Sequence, residues 1–340
     1  MTWTPQNLPA DHPSVASGKI GVLVVNLGTP TAPDAPSVKR YLAEFLSDPR
    51  VIEIPALVWQ PILRGIILNT RPKKSAHAYQ QVWTDEGSPL AAITAQQACG
   101  LQQRLGDGVM VDWAMRYGAP SIPDQLDKLM QAGCERILLA PLYPQYCAAT
   151  TATVVDKAGD WLREKRWQPS LRTLPPYHDD PTYIAALAQD LGAQLDALAF
   201  QPEVLLLSFH GMPARTLELG DPYHCHCMKT ARLLEAALAR PALRMVTTFQ
   251  SRFGRAKWLE PATDVVLEAE AKKGTRRIAI AAPGFSADCL ETLEELAIRG
   301  REQFTEAGGE QFAALSCLNA GDAGMAMLEA LMRRELAGWL

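Results

Sequence analysis

Short apolar runs rich in β-branched residues alternate with helix-period segments along this chain, and that alternation restricts the fold more than any other feature. The first run, Ile20-Gly21-Val22-Leu23-Val24-Val25-Asn26-Leu27, is closed by Gly28 and Pro30. It lacks polar alternation, as a parallel strand covered on both faces should. Similar runs lie at 109–115, 136–142, 204–209, 245–250, 276–282 and 312–317, and Val51 to Ile54 suit a further short strand. Ile122 to Ala132 and Tyr183 to Ala199 carry helical period between them. The pattern predicts an α/β protein with parallel sheets. A Pro-rich turn, Pro175-Pro176-Tyr177-His178-Asp179-Asp180-Pro181, divides the chain into 18–177 and 178–340, with about four strand–helix units on each side and a last helix free to pack back on the first part.

Composition removes several classes of function. The 340 residues are 48% apolar and 21% charged, enough for two packed domains and unlike a disordered chain. A net charge of −4 without a basic stripe argues against nucleic acid. No apolar stretch approaches a membrane span, and Pro5, Pro9, Asp11 and Pro13 interrupt the start where a signal peptide would be apolar. Seven scattered cysteines suit reduced thiols in the cytoplasm. No Gly-x-Gly-x-x-Gly follows the first run, which speaks against a dinucleotide site.

In open α/β sheets, ligands bind beyond the carboxyl ends of the strands, so chemistry is sought there. After the run 204–209 comes His210-Gly211-Met212-Pro213: an imidazole able to take a metal or a proton, followed by a forced turn. Alone, it reads more simply as a hydrogen-bonded loop histidine. After 276–282 comes Pro283-Gly284-Phe285-Ser286-Ala287-Asp288-Cys289-Leu290-Glu291. Asp288 fits a helix N-cap, and Glu291 fits either a capping-box partner or a carboxylate aimed at His210. After 245–250 come Ser251, Arg252, Phe253 and Trp258, aromatic and basic groups suited to a flat acidic ligand, although Phe249 and Trp258 also read as core. Arg116-Tyr117-Gly118 and Tyr143-Pro144-Gln145-Tyr146 follow two strands of the first part. Together these strand ends suggest a cleft lined by aromatic, basic and metal-binding groups.

Over nearly its whole length the sequence resembles the ferrochelatase family. The resemblance is carried by Asn26-Leu27-Gly28-Thr29-Pro30, Gly87-Ser88-Pro89-Leu90, Met115-Arg116-Tyr117-Gly118, Pro141 to Tyr146, Ser208 to Pro213, Gly220-Asp221-Pro222-Tyr223, Phe249 to Gly254 and Gly284 to Leu293. It implies two similar Rossmann-like domains, each a four-stranded parallel sheet flanked by helices, with a porphyrin cleft between them. It implies insertion of Fe(II), as substrate, into a porphyrin, most simply protoporphyrin IX, giving haem without an organic cofactor. His210 and Glu291 would be the catalytic and metal-binding pair. Leu27, Arg71, Ser88, Arg116, Tyr117, Tyr143, Phe249, Trp258 and Phe285 would bind the porphyrin, with Asp288 and Glu295 behind the pair. Peripheral contact with a membrane surface, and the choice between monomer and homodimer, stay open.

The sequence departs from the family pattern at Cys289, where a histidine is frequent, and at Arg299, where an acidic ladder through Glu291 and Glu295 would continue. His224-Cys225-His226-Cys227 packs four soft ligands into four residues. A [2Fe–2S] cluster would need further cysteines, Cys147 first; the preferred reading is an exposed thiol pair. The competing functions are another tetrapyrrole chelatase, such as one loading cobalt into sirohydrochlorin, and a porphyrin or haem carrier without turnover.

Overall fold

The computed structural model describes Asp11, residues 18–254 and residues 256–340. The reading of the opening segment as free of a targeting pattern, Asp11 apart, concerns residues outside these. Among the described residues, eight strands form two four-stranded sheets. The first contains β1 (Lys19–Gly28), β2 (Val109–Tyr117), β3 (Cys134–Pro141) and β4 (Ser170–Thr173) in the order β2-β1-β3-β4. The second contains β5 (Val204–His210), β6 (Arg244–Gln250), β7 (Arg277–Ala281) and β8 (Gln311–Ala314) in the order β6-β5-β7-β8. Every pairing is parallel.

The two orders are the same, so one topology occurs twice. The central strands β1 and β5 are buried along almost their whole length, because helices cover both faces. Each ends against its neighbour in the same manner. A Cβ on Gly28 would lie 1.9 Å from the carbonyl oxygen of Tyr117, and one on Gly211 would lie 2.4 Å from that of Gln250. Only glycine permits such an approach.

Local signals start several helices. Asp34 accepts from the Ser37 amide at 2.7 Å, Ser121 from that of Asp124 at 3.3 Å, and Asp180 from that of Thr182 at 2.9 Å, each with a proline in the first turn. The helix Pro181–Ala197 thus begins at the expected Asp180-Pro181 pair. One local expectation fails, and one strand was not expected. Val51 to Ile54 is not a strand: the amides of Val51 and Ile52 both donate to the Asp48 carbonyl at 3.0 Å, and Pro55 precedes the next helix. In exchange, Ser170–Thr173 forms β4, whose partly exposed residues reflect its place on a sheet edge.

The two sheets are joined at several seams. Gln97 donates to the carbonyls of Ser286 at 3.1 Å and Asn319 at 3.0 Å. Leu90 and Met115 share a buried cluster with Ala287 and Cys289, while Leu290 packs on Val38, Ala76 and Tyr79. The last helix, Asp322–Glu335, lies against both Pro89–Leu105 and Pro181–Ala197, with an Arg104–Glu329 ion pair at 3.2 Å. No helix among the described residues is long and apolar enough to cross a membrane.

Candidate active site

His210 is the last residue of β5 and is held from two sides. The Tyr223 hydroxyl donates to its carbonyl at 3.0 Å, and its Nδ1 lies 2.7 Å from the Gly211 carbonyl oxygen. A carbonyl only accepts, so Nδ1 carries the proton and the Nε2 lone pair is left for a proton or a metal. The main-chain turn is fixed by the Gly211 amide, which donates to the Gln250 carbonyl at 2.8 Å.

Gln250 also links this turn to the second acidic element. Its Oε1 accepts from Ser208 Oγ at 2.6 Å, and its Nε2 donates to the Glu291 carbonyl at 3.4 Å. Glu291 opens a π-helix, Glu291–Arg299, whose wider turns follow four residues that lie outside any helix after Phe285. Around the half-exposed Glu291 stand Tyr41, Tyr79 and Cys289, each ionising less readily beside that carboxylate, although burial is the larger cause for all three.

One turn along, Glu295 accepts from the Ser251 amide at 2.8 Å and from the Ser251 hydroxyl at 2.6 Å. Burial lifts the Glu295 carboxyl above the ordinary carboxylate range; the Ser251 hydrogen bonds and His210 pull it back, and Glu291 adds to the rise. His210, Glu291 and Glu295 therefore share one electrostatic neighbourhood. Glu295 also forms part of the wall of a cavity of about 490 Å³ that includes Ser251, Phe253, Trp258 and Arg299.

Asp288 has a different job from the expected cap. Its carboxylate accepts from Thr292 Oγ1 at 2.8 Å, Asn319 Nδ2 at 2.7 Å and the Cys317 amide at 3.3 Å, and it is buried. Asn319 and Cys317 pin the segment before Glu291 to the loop after β8, while Thr292 ties it to the first turn of the Glu291 helix. Arg299, where an acidic ladder would continue, pairs with Glu294 at 2.9 Å and approaches Glu295 at 4.0 Å.

The expected porphyrin-binding residues divide into two sets. Leu27, Tyr143 and Phe285 are half-buried, and Arg71 is exposed with its guanidinium 5.3 Å from the Phe253 ring centre. Trp258 is largely buried beside Phe253 and donates Nε1–H to the Phe253 carbonyl at 3.0 Å. Tyr117 and Phe249, by contrast, are fully buried and present no ring surface. Tyr117 packs edge-on against Phe45 and donates to Asp48 at 3.0 Å. Arg116 is paired with the same Asp48 and donates to the Thr153 carbonyl at 2.8 Å, so its charge is already matched. Ser88 is buried and accepts from Thr29 Oγ1 at 2.8 Å.

The His-Cys-His-Cys run begins the helix Tyr223–Leu238. Residues two apart on a helix face different ways, and accordingly Cys225 is exposed while Cys227 is buried with Cys147. Burial raises the thiols of Cys147 and Cys227. The exposed thiol pair is thus one exposed and one buried thiol, and His226 is occupied by stacking on His178 with ring centres 3.5 Å apart. Among the described residues no group of three or more His, Cys, Asp or Glu side chains is gathered closely enough to hold a metal.

Gln250 and Ser251 stand in the sequence at a strand end and in a family block, but neither is among the expected site residues. Their positions at a strand end were the signal that they face the site.

Both the fold and the sequence have known relatives. SirB from Bacillus subtilis with Fe3+ superposes with a TM-score of 0.57 over 94% of this chain and 96% of its own at 12% identity, a likeness of fold. The sirohydrochlorin chelatase SirB from Bacillus subtilis subspecies spizizenii gives 0.51 at 10% identity, over 93% of this chain and 95% of its own. The ferrochelatase of Rhizobium meliloti is 55% identical over 97% of this chain and 98% of its own length, and that of Agrobacterium fabrum is 54% identical over 98% of each. The ferrochelatase family model matches residues 19–336, and the chain belongs to that family.

Proposed function

We propose that this protein is a porphyrin metal chelatase of the lyase class that inserts Fe(II) into protoporphyrin IX, releasing two protons and forming haem. The observation that carries the reading is the Gln250 bridge, which ties the His210 turn to the start of the Glu291 helix, with His210 presenting a free Nε2. Two pyrrole N–H protons must leave before four nitrogens close on the ion. His210 Nε2 accepts those protons, and Glu291 receives protons or stages the incoming cation. A pair of ligands suits an ion in transit, because a resident metal is usually held by three or four.

Leu27, Tyr143, Trp258 and Phe285 contact the macrocycle in this reading, and Arg71 meets a propionate by exchanging its weak stacking on Phe253 for a carboxylate. Arg116, Tyr117, Phe249, Ser88 and Asp288 form the frame behind them. All seven cysteines are free thiols, which fits a reducing, cytoplasmic setting.

The test follows porphyrin fluorescence after ferrous iron is added without oxygen. Protein should accelerate the loss of fluorescence catalytically, and protoporphyrin IX should outcompete a coproporphyrin. Binding without acceleration would make the protein a carrier and end the proposal.

A further inference from the structure

The repeated topology places a left-handed residue just after each outer strand next to the centre. After β2 it is Gly118, with φ +88°; after β6 it is Ser251, with φ +63°. Both amides donate to a glutamate, Gly118 to Glu44 at 2.9 Å and Ser251 to Glu295 at 2.8 Å. In the first half glycine adopts this backbone freely, and a Cβ there would meet the Thr29 carbonyl at 2.9 Å. In the second half a serine holds it, although this backbone region is strained for a residue with a Cβ. The strained residue gains one thing that glycine lacks: its hydroxyl donates to the other oxygen of Glu295 at 2.6 Å. Both carboxylate oxygens are then fixed, on a side chain that senses both His210 and Glu291.

We infer that Ser251 is a positioning residue for metal insertion, which holds the Glu295 carboxylate in place beside His210 and Glu291 through paired amide and hydroxyl donors. The inference rests on the proposed iron insertion, and it acts through Glu295 alone. A structural role and a positioning role part company at Ser251→Gly, which relieves the strained backbone and keeps the amide while removing the hydroxyl together with its Cβ; Ser251→Ala removes the hydroxyl alone.

The experiment measures kcat and KM for porphyrin and ferrous iron, with thermal midpoints, for wild type, Ser251→Gly, Ser251→Ala, Glu295→Gln and the double variant Ser251→Gly/Glu295→Gln. The thermal midpoint of Ser251→Gly should move by no more than about 2 °C, because lost strain and a lost hydrogen bond offset each other. Its kcat should fall about tenfold, the effect of one hydrogen bond to a charged group, with KM for porphyrin within about twofold. Ser251→Ala, which keeps the Cβ, should lose as much, and Ser251→Gly should add almost nothing once Glu295 is glutamine. A Ser251→Gly kcat within twofold of wild type overturns the inference, as does an equal further loss in the Glu295→Gln background. A wild-type protein that fails to insert iron would instead strike at the proposed function.

Discussion

At the strand ends of the first sheet, several polar side chains are matched to one another and largely buried, Tyr143 being an exception whose buried hydroxyl has no partner among the described residues. Asp48 takes both Arg116 and the Tyr117 hydroxyl, Thr29 donates to Ser88, and Asn26 donates to Thr94. At the strand ends of the second sheet, His210 keeps a free nitrogen, Glu291 is half-exposed, and Glu295 is lifted by burial. The two sheets share an order and a way of closing glycine against the neighbouring strand. In the proposed reading, the duplicated fold supplies a rigid wall from one copy and reactive groups from the other. Satisfied polar networks rigidify, while incompletely matched groups are available for chemistry.

Four substitutions sharpen that contrast, in decreasing order of expected effect. His210→Ala should lower the iron-insertion rate at least ~1000-fold with circular dichroism unchanged, the scale of a lost base that also binds metal. In the first half Asp48→Asn should do the reverse: denaturant unfolding should reveal a loss of about 3–5 kcal/mol, because Arg116 is left charged and buried. Turnover per folded molecule should change only a few-fold. Glu291→Gln should cost about 100-fold in kcat at unchanged stability; near-normal turnover in folded protein would move the acid–base work elsewhere.

The smallest effect concerns the junction between the halves. His178 is stacked on His226, and burial, followed by the His226 ring, holds it down at about 4 against an ordinary 6.5, with Asp179 opposing and Lys229 adding to the shift. The unfolded chain therefore binds a proton first as pH falls. Stability is full above about 6.5 and declines until the pH nears 4, by about 1–2 kcal/mol after solvent screening. Unfolding midpoints measured between these limits should show the slope, and His178→Phe should flatten it.

Much of this architecture could be read from the residues, and the exceptions have physical reasons. The central strands were legible because burial on both faces leaves no polar alternation. Ser170–Thr173 was not, since an edge strand of four residues needs no apolar run. Val51 to Ile54 misled because β-branched residues say nothing about the carbonyl of Asp48 that turns them. Of the candidate pair, His210 is legible as a strand-end residue and Glu291 as an acidic residue in the first turn of the helix after the run 276–282, both within specific blocks. The frame is not legible: Tyr117 and Arg116 are matched by Asp48, 69 and 68 residues away, and Asp288 by Asn319, 31 residues away. Such partners exist only once the chain is folded. The π-helix left no mark that periodicity detects.

The most direct test is a crystal structure with a metal-free porphyrin bound. The account predicts the ring centre between the two elements tied by Gln250, with His210 Nε2 within about 3 Å of a pyrrole nitrogen and the Glu291 carboxylate directed at the same centre. A porphyrin seated against the first half alone, or one whose centre lies out of reach of both groups, would contradict it.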